Sequence, residues 1–340
     1  MRHVRTGAAV LAVATVSALA AVVAAASLPA SAAAPFVVLV DLALVSALTL
    51  VFHRTARLPG APPATARFWA SLTRALAAYA LGMAVDLTGL VVAAVRGREV
   101  PMFGAQLIYP IAGLLTLYAV FRYPTTTRNR SQQVRIGLDA GIVLLGAASF
   151  IWYFSVGNRW SPGSGWLSLS ETLALPVMVL VAGFGVLRVA LVGTRLLARP
   201  TAICFAACVL LAGIATALPA RPGVAALAPT VLLLTAQLLS LTGALFQYRI
   251  TASGTAQSPG RVRRPFSALP YAASVAAFGL LVFAIGPVLD ARRWGVLVAS
   301  VGCSSWSPSA SSRRCRRITA CWRRTGASPI GCGTRLFMTS

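Results

Sequence analysis

The stretch from Arg135 to Val156, RIGLDAGIVLLGAASFIWYFSV, limits the fold more than any other part of the chain. A basic, polar segment precedes it, about twenty apolar residues follow, and Trp152, Tyr153 and Phe154 close it. A basic flank, an apolar run of ~20 residues and an aromatic girdle are what a bilayer requires of a spanning helix. The plan recurs along the chain. Apolar runs lie at about 7–27, 34–53, 68–95, 102–121, 136–156, 169–192, 200–218, 223–247 and 267–289, with an incomplete run at 295–302. The fold class expected is all-α: a polytopic transmembrane helical bundle of about nine to ten spans filling residues 1–302.

Composition agrees. Only 11% of the residues are charged, where an ordinary soluble domain has about 25%. All 30 basic residues are arginine, which reads as GC-rich coding rather than a guanidinium site. A net charge of +24 would point to nucleic acid in a soluble protein. Here the arginines sit mostly in short loops, and no soluble domain offers an element to read a groove. Nucleic acid is therefore not an expected partner, whereas the lipid bilayer is.

The loops also set a direction. With the N-terminus in the cytoplasm, the inner segments carry Arg2, Arg5, Arg54, Arg57, Arg67, Arg122, Arg128, Arg130, Arg135, Arg195, Arg199, Arg249, Arg261, Arg263 and Arg264. The outer segments carry only Arg96, Arg98, Arg159, Arg221, Arg292 and Arg293. That asymmetry is the positive-inside pattern of a multi-pass protein of the plasma membrane. The first run, followed by Ser31-Ala32-Ala33, reads either as a cleaved signal peptide or as an uncleaved first helix; its length favours the helix. Proline within the Tyr109-Pro110 pair suggests a kink in the fourth span.

From Cys303 the character changes. Residues 303–340 carry seven arginines, four cysteines and no acid, and show neither helical nor strand periodicity. They read as a basic disordered tail or, preferably, as a shifted reading frame. In GC-rich DNA the codons of Cys303-Ser304-Ser305-Trp306-Ser307, read one base out, can spell an apolar Val-Leu-Val-Val-Val that completes the last span. A neighbouring frame at the locus that is not apolar after Gly302 would sink this hypothesis. The chain is then a truncated form of something longer.

Four acids lie in or at the edge of apolar runs: Asp41, Asp86, Asp139 and Glu171. Acids at bilayer depth are costly and usually face a bundle interior or cavity, paired. Asp86 and Glu171 are candidates to line a polar pocket open to the outside, with Arg74, Arg188, Gln106 and Gln237 as partners deeper in; Asp41 falls in the same outer half. A structural polar contact between helices explains the same residues. Asp139, four residues after Arg135, is most simply a favourable group at a helix N-terminus. Cys204 and Cys208 share a helix face and read as small packing residues. With two histidines and no C-x-x-C spacing, neither a metal site nor any cofactor is expected. No phosphate-binding loop, zinc-protease, serine-hydrolase or kinase motif is present, so catalysis is not expected of the chain.

Arg135-Ile136-Gly137-Leu138-Asp139-Ala140 running into Trp152-Tyr153-Phe154 resembles a stretch in the membrane-embedded N-terminal regions of actinobacterial cyclic-di-GMP signalling proteins. An Asp in the span near Gly82 to Leu90, a Tyr-Pro in the next span, and Tyr123-Pro124 followed by arginines extend the resemblance over about residues 65–300. It implies a sensory input module ahead of GGDEF and often EAL domains, responding to an unidentified stimulus ligand, with a homodimer as a plausible assembly. No GGDEF or EAL signature follows here, so no cyclase or phosphodiesterase residue carries over. Ser328 to Phe337 is only a faint echo of the expected domain start. Two other readings stand beside this one: a permease-like small-molecule transporter using the buried acids, and a non-functional fragment of a membrane-bound cyclase.

Overall fold

A computed structural model of the chain describes residues 2–59, 61–96, 107–122, 130–156, 165–192, 197–218 and 227–253, with isolated positions beyond. Every regular element among them is helical. In order these are α1 (Arg2–Ser27), α2 (Ala30–Ala56), α3 (Pro63–Arg96), α4 (Tyr109–Arg122), α5 (Arg130–Ile151), α6 (Gly165–Val192), α7 (Arg199–Ala217) and α8 (Leu227–Ala252). A π-helical turn, Trp152–Val156, continues α5. The helices fall on the apolar runs read from the sequence. The runs at 267–289 and 295–302 and the tail at 303–340 lie wholly or largely outside the described residues.

Helix is the natural outcome for such runs, because in lipid the backbone must satisfy its own polar groups. Several hydroxyls in the runs obey the same rule, although Thr201 Oγ1 in the helix over 199–217 is buried without a partner. Thr15, Thr49, Thr73, Thr116 and Thr242 each donate to the carbonyl four residues back, so they bring no unanswered polar atom into an apolar medium. Proline and glycine end the runs: Pro29 precedes α2, and Pro63 opens α3, where its missing N–H costs nothing. Pro110 is the second residue of α4, just after a π-type turn at 107–108. Pro110 therefore sits in the first turn of the regular α-helix rather than in its interior.

Among the described residues, five helices, α1, α2, α3, α7 and α8, are long and apolar enough to cross a membrane, which marks the chain as a membrane protein. Shorter apolar stretches at Gly141–Phe154 and Leu175–Leu187 lie in α5, its π turn and α6. Large apolar side chains such as Val13, Leu50, Leu81, Ile203 and Leu210 are exposed on the outer faces, as lipid contact allows.

The helices close a circuit. α2 packs on α3, α3 on α4, α4 on α6, α6 on α7, α7 on α8, and α8 returns to α2. α1 lies outside against α2 and α8, and α5 lies against α6. Small residues set the closest approaches. Ala14, Ala18 and Ala21 form one buried face of α1. On α8, a Cβ added to Gly243 would stand 2.9 Å from Cys204 Cβ of α7, so the two backbones meet there because one side chain is absent.

The main core lies between α1, α2, α3 and α8 and includes Leu44, Leu48, Phe52, Trp69, Leu241 and Ala244. Its aromatic part is tight. Trp69 is fully buried, with its ring centroid 4.9 Å from Phe52 and 5.2 Å from Phe68. At this basic end, Gln247 of α8 accepts the Ala198 backbone N–H at 3.1 Å and so caps α7, which has no side-chain cap of its own.

Candidate functional site

Asp41 is the twelfth residue of α2, and Asp86 lies ten residues before the end of α3. At 1.5 Å per residue, each is about 15 Å along its helix from the same end of the antiparallel pair. The two carboxylates are therefore level along the pair, well inside both apolar helices.

α3 brings three residues to one face at helical spacing: Tyr79, Gly82 and Asp86. Gly82 is the key to what packs there. A Cβ at this position would lie 2.6 Å from Cε1 of Tyr109, so the Tyr109 ring of α4 occupies the space a side chain would take. That approach sets the Tyr79 and Tyr109 rings 4.9 Å apart, tilted by 38°. It also lets the Tyr109 hydroxyl bond the Asp86 carboxylate. Both tyrosines lie within electrostatic range of both carboxylates.

From the other side, α8 contributes Gln237, whose side-chain amide bonds Asp41. Ser240, one turn on, donates to the Gln237 backbone carbonyl at 2.9 Å and approaches its Oε1 at 3.5 Å. The Ser240 hydroxyl also pairs with the Cys208 thiol of α7. Five of the six helices of the circuit thus bear on one polar centre: Asp41, Tyr79, Asp86, Tyr109, Cys208, Gln237 and Ser240 belong to α2, α3, α4, α7 and α8.

The centre is not fully satisfied. Asp41 Oδ1 is buried and has no hydrogen-bond partner. A buried polar atom left unpaired costs about 1–3 kcal/mol, more when charged. No group of three or more His, Cys, Asp and Glu side chains that could hold a metal ion occurs among the described residues.

Of the residues singled out in the sequence, Asp41, Asp86 and Gln237 meet here. Arg74 does not. It is exposed on α3, where its Nη2 bonds Ser71 Oγ at 3.2 Å and its Nε approaches the Ala70 carbonyl at 3.4 Å. It therefore faces outward from its own helix and is no partner deeper in the pocket. Asp139 is the tenth residue of α5, not a member of its first turn, so the helix dipole, felt only within the terminal turn, is not what accommodates it. Glu171 is the seventh residue of α6, and Arg188 lies toward the end of that helix. The side chains of Asp139, Glu171 and Arg188, and the whole of Gln106, lie outside the described residues.

Tyr79, Tyr109, Ser240 and Cys208 are the residues that sequence reasoning left out of the site. The spacing Tyr79, Gly82, Asp86 was a usable signal, since it puts a hydroxyl, a gap and a carboxylate on one face. No known protein family, no curated protein and no solved structure matches the chain.

Proposed function

We propose that the chain is a multi-pass sensory or input module of the plasma membrane, with about nine to ten spans and a cytoplasmic N-terminus, and that its responsive element is the polar centre around Asp41 and Asp86. The observation that carries the reading is the level pair of carboxylates inside two apolar helices, one of them with an unanswered buried oxygen. A carboxylate oxygen is costlier to leave unpaired than a neutral buried group such as Trp69 Nε1, so a purely structural contact would be expected to pair it.

α8 is suited to carry a change in the centre to the basic end. Gln237 bonds Asp41, and Gln247, ten residues on, holds the start of α7. The distance between them is about 15 Å along one rigid helix. A ligand that draws Asp41 away from Gln237 frees α8 to shift against α2, provided the bundle has two arrangements. By the resemblance in the sequence, the output so controlled is cyclic-di-GMP synthesis or breakdown, carried out by a domain beyond this chain.

The test is a chimera of residues 1–302 ahead of a cyclase reporter. Asp86→Asn is expected to change nucleotide output about fivefold or more, within the range of allosteric coupling. Output identical to wild type in both Asp86→Asn and Asp41→Asn overturns the reading. Acids inside apolar helices also favour a second reading, a permease, since transporters bind substrate within the bilayer. Solute flux in proteoliposomes that Asp86→Asn abolishes would establish it.

A further inference from the structure

Asp41 and Asp86 are not equivalent. Asp86 is answered by the Tyr109 hydroxyl. Asp41 takes only the Gln237 amide on one oxygen, and its Oδ1 has nothing. Among the described residues no basic side chain pairs with Asp41, and the one arginine within the middle of α3, Arg74, points outward. What the open oxygen lacks is a single positive charge. Further hard oxygens lie in the same centre: the hydroxyls of Tyr79 and Tyr109, both within electrostatic range of Asp41, and the Asp86 carboxylate within range of the same two tyrosines.

We propose that this centre binds one small monovalent cation of the alkali type, held at Asp41 Oδ1. A divalent ion fits less well. Calcium takes six to eight oxygens and magnesium a near-ideal octahedron, usually with several waters. Here there are two carboxylates, one already engaged, and no larger cluster of ligating side chains among the described residues. The cation converts the costliest atom of the centre into a ligand, and it competes with Gln237 for Asp41. Bound cation and the position of α8 are thereby coupled. The proposal gives a ligand class to the centre invoked above, but binding does not depend on whether the module signals or transports.

The experiment is binding of radioactive sodium to the full chain in lipid nanodiscs, at constant ionic strength with choline as the inert cation. Thermal melting is followed in parallel. Saturable binding and a Tm that rises with sodium are expected, with binding at least about tenfold weaker in Asp41→Asn, a loss of ~1.4 kcal/mol. Asp139→Asn, on a different helix, is expected to bind as wild type. If Asp41→Asn fails to fold, Gln237→Leu replaces it; that variant removes the competing amide and is expected to raise sodium affinity. Potassium or lithium displacing sodium identifies which alkali ion is preferred and supports the proposal. No saturable binding, binding unchanged in Asp41→Asn and Gln237→Leu, displacement by micromolar calcium, or a Tm that responds to protons alone overturns it. A chain that binds sodium but leaves the cyclase chimera unresponsive keeps this proposal and loses the sensory one.

Discussion

The aromatic end of the bundle and its polar centre are built from the same helices and solve opposite problems. At Phe52, Phe68 and Trp69, bulky side chains fill the space between α2 and α3, and Trp69 is fully buried. Further along the same pair, Asp41 and Asp86 replace the bulk with charge, and Gly82 opens room for a ring from α4. Between helices in lipid there is little hydrophobic gain, so cohesion comes from packing and hydrogen bonds. Each region leaves one buried polar atom unpaired, Trp69 Nε1 in the first and Asp41 Oδ1 in the second. The indole N–H is a neutral donor amid close packing, whereas the oxygen belongs to a carboxylate, the costlier group to leave unanswered.

Four substitutions break or sharpen this contrast. Trp69→Ala removes the largest fully buried side chain among the described residues and is expected to cost about 3–5 kcal/mol, read as a lower Tm in nanodiscs. Sodium binding by the fraction that folds should persist. Gly82→Val forces the Tyr109 ring away, since even a Cβ meets it at 2.6 Å. Overpacking of this kind costs about 1–3 kcal/mol, and here the loss of Tm should come with loss of sodium binding. Tyr109→Phe removes the hydroxyl that answers Asp86 and is expected to cost about 1–3 kcal/mol, with no change in packing volume. Gln247→Leu leaves the Ala198 N–H uncapped at the basic end. It is expected to cost about 0.5–2 kcal/mol and to loosen α7 in hydrogen exchange without altering sodium binding.

The helices were legible because lipid allows few alternatives. A run such as 34–53 or 200–218 has to be helical, and Pro29, Pro63 and Pro200 mark where helices begin. Helix pairing was not legible, since apolar spans show lipid and neighbour the same kind of surface. That is why Asp41, Asp86 and Gln237 could be singled out but not joined, and why Arg74 was assigned to a pocket it faces away from. Tyr79 and Tyr109 were missed because a tyrosine in an apolar run reads as packing or as an interfacial residue. Only the approach of Tyr109 over Gly82 turns its hydroxyl toward Asp86. The π turn at Trp152–Val156 left no signature either; its aromatic residues fit a membrane girdle equally well in a regular helix.

The claim that the centre exists for binding rather than for cohesion is tested most directly by the melting temperature of Asp41→Asn in sodium-free nanodiscs. The substitution keeps shape and an oxygen for Gln237, and removes the charge whose Oδ1 is unanswered. A Tm equal to or above that of wild type, together with lost sodium binding, is the expected result. A clear fall in Tm without sodium would show that Asp41 holds the bundle together, and would contradict the claim.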